Sequence, residues 1–153
     1  MAEIMQRVCE VKLGGIKLKK EQEQEQAVIA LLEKKEAFAV LPTGFGKSLF
    51  YQSYSLAKSE IDTVSPAVMV IVPLRSIAEE QVRNNEFDLK AAHLSLDEEK
   101  LRAVASGEVR VLYASAEEVL DDVFINLLKK EDSPFRKNLS LIVVDESHTV
   151  YTW

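Results

Sequence analysis

The sequence predicts an α/β domain in which helices cover both faces of a mostly parallel central sheet. The apolar run Ala67–Val72 is continuous rather than alternating, which is typical of a strand buried on both faces of a parallel sheet. Leu139–Val144, apolar except for Ser140, is predicted to be a second buried strand. Strand-like and helix-like segments alternate along the chain, and such alternation implies right-handed βα crossovers. Together these observations predict a three-layer architecture.

The elements follow from apolar spacing and from turn residues. Residues 1–20 are poorly patterned, and no internal repeat is apparent. Asp97 is placed to cap a helix and Gly107 to end it, while residues 129–138, which contain Pro134, predict a loop. Helices are expected over residues 21–35, 49–57, 74–82, 98–106 and 116–127, and strands over residues 37–40, 67–72, 89–96, 109–113 and 139–144.

The composition limits the class of protein. With 153 residues, of which 47% are apolar and 29% charged, the chain has the size and make-up of one soluble globular domain. No apolar run approaches a membrane span and no signal peptide is apparent, so an intracellular, soluble protein without membrane partners is expected. The single cysteine, Cys9, excludes an internal disulfide and a cysteine-based zinc site within this chain. The net charge of −6 argues against indiscriminate binding to phosphate backbones.

A glycine-containing turn between a predicted strand and a predicted helix has the features of a phosphate-binding loop. Gly44 and Gly46 allow backbone N–H groups to point at an anion, Lys47 would reach the outer phosphates of a nucleotide, and the Ser48 hydroxyl would bind Mg²⁺. Leu41 stands where the general loop has its first glycine, and an ordinary surface turn is the alternative interpretation. The candidate nucleotide-contacting residues here are Thr43, Gly44, Phe45, Gly46, Lys47 and Ser48.

Two carboxylates, Asp145 and Glu146, follow the last predicted strand. Acidic residues are common at strand ends, so the pair alone carries little information. Beside a phosphate loop it gains meaning, because ligands bind at the carboxyl ends of parallel strands. ATP hydrolysis needs one carboxylate for Mg²⁺ and a second one to orient the attacking water. We therefore predict that Asp145 holds the metal, directly or through water, and that Glu146 acts on the water.

These motifs resemble those of superfamily 2 helicases. That superfamily does not keep the first glycine of the loop, and residues 145–148 (Asp-Glu-Ser-His) are similar to its DEAH box. Four further stretches resemble the RecQ branch in particular: residues 48–52, residues 72–76 with 80–82, residues 113–117, and Trp153. The resemblance runs from about residue 18 to residue 153. It implies a RecA-like P-loop NTPase domain over residues 18–153, preceded by a poorly patterned segment, residues 1–17.

The resemblance implies further residue roles. A glutamine should read the adenine edge; the family spacing favours Gln24, although Gln22 also fits the local pattern. Arg75, Ser76 and Ser115 would contact the sugar-phosphate backbone of single-stranded or partly duplex DNA, and His148 would couple the nucleotide site to a second motor domain. Trp153 falls where an aromatic-rich, DNA-binding loop begins. For His93, by contrast, an ordinary surface or half-buried position is expected.

The expected function is thus the ATP-binding motor half of a RecQ-like, 3′–5′ DNA helicase that uses ATP and Mg²⁺. The family's second RecA-like domain, with its arginine finger, is absent from this chain, so binding of ATP with slow hydrolysis is expected. The resemblance alone implies a nuclear location. Two alternatives of a different class remain: a free-standing nucleotide-binding regulatory or interaction module, and, less favoured because of Leu41, a small P-loop kinase.

Overall fold

A computed structural model of the chain describes residues 2–8, 21–40, 46–62, 65–85, 87 and 89–146. Its contacts divide the chain into two compact units, Met1–Val64 and Ser65–Trp153. None of the described helices is long and apolar enough to cross a membrane.

The first unit contains three described helices: α1 (Ala2–Arg7), α2 (Glu21–Leu32) and α3 (Lys47–Asp62). Helix α2 confirms the predicted helix and ends three residues earlier than residue 35. Val28 and Leu32, one helical turn apart, are both buried, and α2 contacts α3. Helix α3 is longer than predicted and buries the continuous segment 51–57.

The predicted strand over residues 37–40 is wrong. These residues have no regular secondary structure, and Phe38 and Val40 are 83% and 82% exposed. A strand is stabilised by hydrogen bonds to a neighbouring strand and by packing of its faces. The local apolar pattern predicts a strand here without showing what it would pair with.

The second unit contains a four-stranded sheet and flanking helices. The elements are β1 (Ala67–Val72), α4 (Arg75–Arg83), β2 (Ala91–His93), α5 (Glu98–Ala105), β3 (Val111–Ser115), α6 (Ala116–Val119), α7 (Asp122–Lys129), α8 (Pro134–Asn138) and β4 (Leu139–Val144). The strand order is β2-β3-β1-β4, and every pairing is parallel. This sheet and its flanking helices confirm the predicted fold class and are consistent with a RecA-like α/β fold.

The core of this unit lies between one face of the sheet and the helices α5, α7 and α8. Met69 of β1 and Leu112 of β3 pack there in one cluster with Leu101, Phe124 and Phe135. The rings of Phe124 and Phe135 lie 6.5 Å apart in a tilted arrangement. Residues on the opposite face of the same strands, Val68, Val70 and Tyr113, are also fully buried. Strand β1 is therefore buried on both faces, as predicted.

Strand β4 lies at the edge of the sheet and differs from the prediction of a buried strand. Its residues alternate between partial burial and exposure, and Ile142 and Val144 are 55% and 44% exposed. The register against β1 shifts by one residue at Ser140, because Ala67 pairs with Leu139 but the next residue, Val68, pairs with Leu141. The Ser140 hydroxyl donates to the carbonyl of Ala67 at 3.2 Å.

The helix ends show which local sequence signals predict helix boundaries correctly. The Asp97 carboxylate accepts hydrogen bonds from the first turn of α5, and Gly107 follows that helix with φ +78°, as predicted. The predicted helix over residues 116–127 is instead two helices, because Asp121 caps a new one by accepting from Val123 N–H at 2.8 Å. The predicted loop over residues 129–138 contains α8, which begins at Pro134.

Candidate nucleotide site and nucleic-acid interface

The phosphate-loop residues that the structure describes stand at the start of α3. Gly46 has φ +74°, a conformation that a residue with a Cβ rarely adopts. Lys47 begins the helix, and Leu49 N–H bonds to the Gly46 carbonyl at 3.0 Å. The N-terminus of a helix this long offers backbone N–H groups and partial positive charge to an anion. Gly46, Lys47 and Ser48 therefore fit a bound phosphate; Thr43, Gly44 and Phe45 lie outside the described residues.

Gln24, the candidate adenine reader, lies on α2 with only 2% of its surface exposed. Its amide can reach only groups that pack against that face of the helix. The backbone of Gln22 lies on the same helix, but its side chain is outside the described part. The choice between the two glutamines stays a prediction.

The second unit brings several predicted site residues to one edge of its sheet. In the parallel register Val72, at the end of β1, pairs with Ser115, at the end of β3. On the other side of β1, the N–H of Asp145 bonds to the carbonyl of Ile71 at 2.9 Å. Arg75 and Ser76 begin α4 immediately beyond β1. Arg75, Ser76, Ser115 and the acidic pair thus all lie at the carboxyl ends of adjacent strands.

The acidic pair has a defined local geometry. The Asp145 carboxylate accepts the N–H of Glu146 at 2.9 Å, and Glu146 has φ +52°. Non-glycine residues seldom take this conformation, and they do so mainly where surrounding structure imposes it. Among the described residues no group of three His, Cys, Asp or Glu side chains could hold a metal. Mg²⁺ commonly needs only one or two carboxylates together with waters and substrate phosphates, so Asp145 fits this ion.

Helix α4 presents an exposed first turn. Arg75 and Ser76 are both exposed, and Leu74 at the N-cap position has no polar side chain to bond the first N–H groups. Arg75 Nε donates to Glu79 Oε1 at 3.1 Å, one turn along the helix. The guanidinium carries further N–H groups in the same plane, which suit a phosphate. This turn can therefore receive a nucleic-acid backbone.

Ser115 is 8% exposed and caps α6. Its hydroxyl oxygen accepts the N–H of Glu118 at 3.3 Å, and the Glu118 carboxylate accepts the N–H of Ser115 at 2.8 Å. This reciprocal capping box uses the hydroxyl only as an acceptor, so its O–H can still donate to another group. The sequence predicted that Ser115 contacts DNA, but it did not predict that Ser115 caps α6.

The second feature that the sequence missed is a contact between His93 and Glu118. His93 ends β2 at the same edge of the sheet and is partly buried, as expected, but its ring bonds to a carboxylate 25 residues away. No short-range pattern could have identified this pair. His148 and Trp153 lie outside the described residues.

A family model described as DEAD/DEAH box helicase matches residues 21–153. The chain therefore belongs to the DEAD/DEAH box helicase family, and within it the relatives are of the RecQ type, as the motifs predicted. ATP-dependent DNA helicase Q-like 5 of Arabidopsis thaliana is 32% identical over 137 residues, covering 85% of this chain and 14% of that protein. ATP-dependent DNA helicase RecQ of Haemophilus influenzae is 29% identical, covering 85% and 20%. ATP-dependent helicase SGS1 of Saccharomyces cerevisiae is 32% identical, covering 99% and 10%.

The chain spans only 10% to 20% of the length of these three relatives. Membership of the family is thus shown for one domain-sized region. The activity of a whole helicase is a separate question.

Proposed function

We propose that this chain is the ATP-binding motor half of a RecQ-like, 3′–5′ DNA helicase, and that residues 18–153 form its first RecA-like domain. The observation that carries the proposal is the shared edge of the parallel sheet, where Arg75, Ser115 and Asp145 follow three adjacent strands. A motor must respond to nucleotide and nucleic acid together. Asp145, the proposed metal ligand, shares this sheet edge with the proposed DNA contacts, which provides such a link.

The nucleotide would be held by residues of the phosphate loop and α3. Backbone N–H groups of Thr43, Gly44, Phe45 and Gly46 would surround the phosphates, and Lys47 would contact the outer ones. Gln24 would read adenine. The Ser48 hydroxyl and Asp145 would hold Mg²⁺, which when bound neutralises charge that develops on the phosphates.

Glu146 would orient and deprotonate the water that attacks the terminal phosphate of ATP. A second RecA-like domain would supply an arginine finger, and loss of such a group costs on the order of 10³-fold or more in rate. This chain by itself should accordingly bind ATP and hydrolyse it slowly. His148 would transmit the state of the nucleotide to that partner domain.

Single-stranded or partly duplex DNA would lie across the edge formed by α4 and α6. Arg75, Ser76 and Ser115 would bond its phosphates and sugars, which positions a strand without reading its sequence. Trp153 would add a stacking surface for a base. A nuclear location is proposed from the eukaryotic relatives alone.

Nucleotide binding is tested by titrating the purified chain with a fluorescent, non-hydrolysable ATP analogue and Mg²⁺. Lys47→Ala removes a charged donor to phosphate, which contributes about 1.5–3 kcal/mol and should weaken binding roughly 10-fold or more. Asp145→Ala should weaken binding only when Mg²⁺ is present. Lys137→Ala, which removes an exposed lysine on α8, is the control. Equal affinities for the wild type and Lys47→Ala would contradict the proposed nucleotide site.

DNA binding is tested by fluorescence anisotropy with a labelled oligonucleotide at several salt concentrations. Arg75→Ala should weaken binding and reduce the salt dependence by about one phosphate contact. Arg102→Ala is a close control, because Arg102 is also exposed and pairs with a glutamate one turn away, Glu98. If ATP binds but the chain has no affinity for DNA, the alternative of a free-standing nucleotide-binding module is correct.

A further inference from the structure

His93 joins two helices that carry proposed DNA contacts. It ends β2, and its side chain is 12% exposed. Nε2 lies 3.0 Å and 3.1 Å from the two carboxylate oxygens of Glu118, which follows β3. An ionised carboxylate only accepts hydrogen bonds, so the ring donates from Nε2. Nδ1 lies 4.0 Å from Oε1 of Glu79 on α4, so the ring stands between the two carboxylates.

On one side of the ring, Glu118 determines the position of Ser115. The same carboxylate that accepts from His93 also accepts the N–H of Ser115 at 2.8 Å. Burial alone would raise the pKa of Glu118, but the Ser115 backbone N–H and the His93 ring outweigh burial and hold the pKa below its ordinary value. Glu118 therefore stays ionised and keeps accepting both bonds. The Ser115 hydroxyl accepts in this cap, which does not use its O–H as a donor.

On the other side, Glu79 determines the position of Arg75. Glu79 Oε1 accepts from Arg75 Nε and is also the oxygen that faces His93. The imidazole separates the carboxylates of Glu79 and Glu118, two like charges that repel each other. The ring thus lies between two acidic groups, and each of them accepts a hydrogen bond from one proposed DNA contact.

We propose that His93 is a positioning residue that holds Arg75 and Ser115 as a single array for successive phosphates of a DNA strand. The order of contacts is Arg75, Glu79, His93, Glu118 and Ser115. This inference rests on the proposed function, because it needs the two ends of the array to contact DNA. It adds that their spacing depends on a residue that touches neither nucleotide nor nucleic acid.

The first experiment compares single-stranded DNA affinity for the wild type, His93→Ala and His93→Gln in the full chain. Loss of the ring should weaken binding roughly 3- to 10-fold, which is the scale of coupling within one hydrogen-bonded network. The glutamine amide can donate to Glu118 as Nε2 does, so His93→Gln should recover most of the affinity. Ser95→Ala, at the same end of β2, is the control and should bind as the wild type does. Affinity for the ATP analogue should not change in any of them.

The second experiment separates positioning from general stability by a double-mutant cycle. If His93 acts through the array, His93→Ala should have little further effect on DNA binding in the Arg75→Ala, Ser115→Ala background. An undiminished effect in that background, or no rescue by His93→Gln, would overturn the proposal. If His93→Ala does not fold, His93→Gln combined with Glu118→Gln takes its place, and unchanged DNA affinity in that variant would overturn it as well.

The outcomes also separate this inference from the function on which it rests. When Arg75→Ala weakens DNA binding and His93→Ala does not, the interface stands and the positioning role fails. When Arg75→Ala has no effect on DNA binding, the interface on α4 is wrong, and the array fails with it.

Discussion

Met69 of β1 and Ile142 of β4 are register partners on neighbouring strands, yet the first side chain is 2% exposed and the second 55%. Partners in a parallel register point to the same face of a sheet. Met69 belongs to the cluster covered by α5, α7 and α8; Leu139, at the start of β4, packs against the same cluster, but the helical layer leaves Ile142 exposed. The two strands are similar in sequence, since all six residues of β1 and five of the six residues of β4 are apolar. Burial here depends on which residues the helices cover, and strand composition does not reveal it.

The largest loss of stability is expected for a substitution of Met69, the buried member of this pair. Met69→Ala would leave a cavity against the helical layer, and such core truncations cost about 2–5 kcal/mol of unfolding free energy. Urea unfolding followed by circular dichroism measures the loss. A cost below about 1 kcal/mol would mean that the helices do not pack on β1 as described.

An intermediate loss of stability is expected at Gly107, which follows α5 and lies against Pro134 of α8. A Cβ added at Gly107 would lie 2.9 Å from Pro134 Cβ and 3.3 Å from the Pro134 backbone, and Gly107 has φ +78°. Both the contact and the conformation oppose an L side chain, so Gly107→Ala should cost about 1–3 kcal/mol. Ser106→Ala, at the exposed neighbouring position, should be close to neutral in the same assay. Equal stability of the two variants would show that α8 is not held against Gly107.

The smallest loss of stability is expected for a substitution of Ile142, the exposed member of the pair. Ile142→Ala removes a side chain that is mostly in water, and such surface changes alter stability by at most about 0.5 kcal/mol. The measurement is the same unfolding curve, so the difference from Met69→Ala is obtained directly. A loss as large as that of Met69→Ala would show that another part of the protein covers β4 in solution.

The sequence predicts this fold best where one local signal is sufficient. The continuous apolar run of β1, the cap at Asp97 and the stop at Gly107 all appear as expected. The strand over residues 37–40 is wrong because an apolar run does not specify its partner. Helix α8 was missed although Pro134 at its first position, after Ser133, is a recognisable start signal.

For the candidate site, strand ends are predictable and side-chain partners are not. Arg75, Ser115 and Asp145 lie at one edge of the sheet because parallel strands place their carboxyl ends together. The bond from His93 to Glu118 depends on the spatial order of β2 and β3, which no spacing along the chain encodes. The roles assigned to Lys47, Glu146 and Gln24 stay predictions until binding is measured.

The extra residue at Ser140 has a consequence at the far end of β4. Side chains along a strand alternate between faces, so a slip of one residue reverses the side on which every later side chain emerges. With Ser140 present, Leu141 pairs with Val68 and Val144 with Ile71, and the Asp145 carboxylate follows in that phase. If β4 paired with β1 without this bulge, Ser140 would lie opposite Val68 and Leu141 opposite Met69, and every later side chain would emerge on the other face of the sheet. The bulge at the start of the strand therefore decides which way the acidic pair at its end faces.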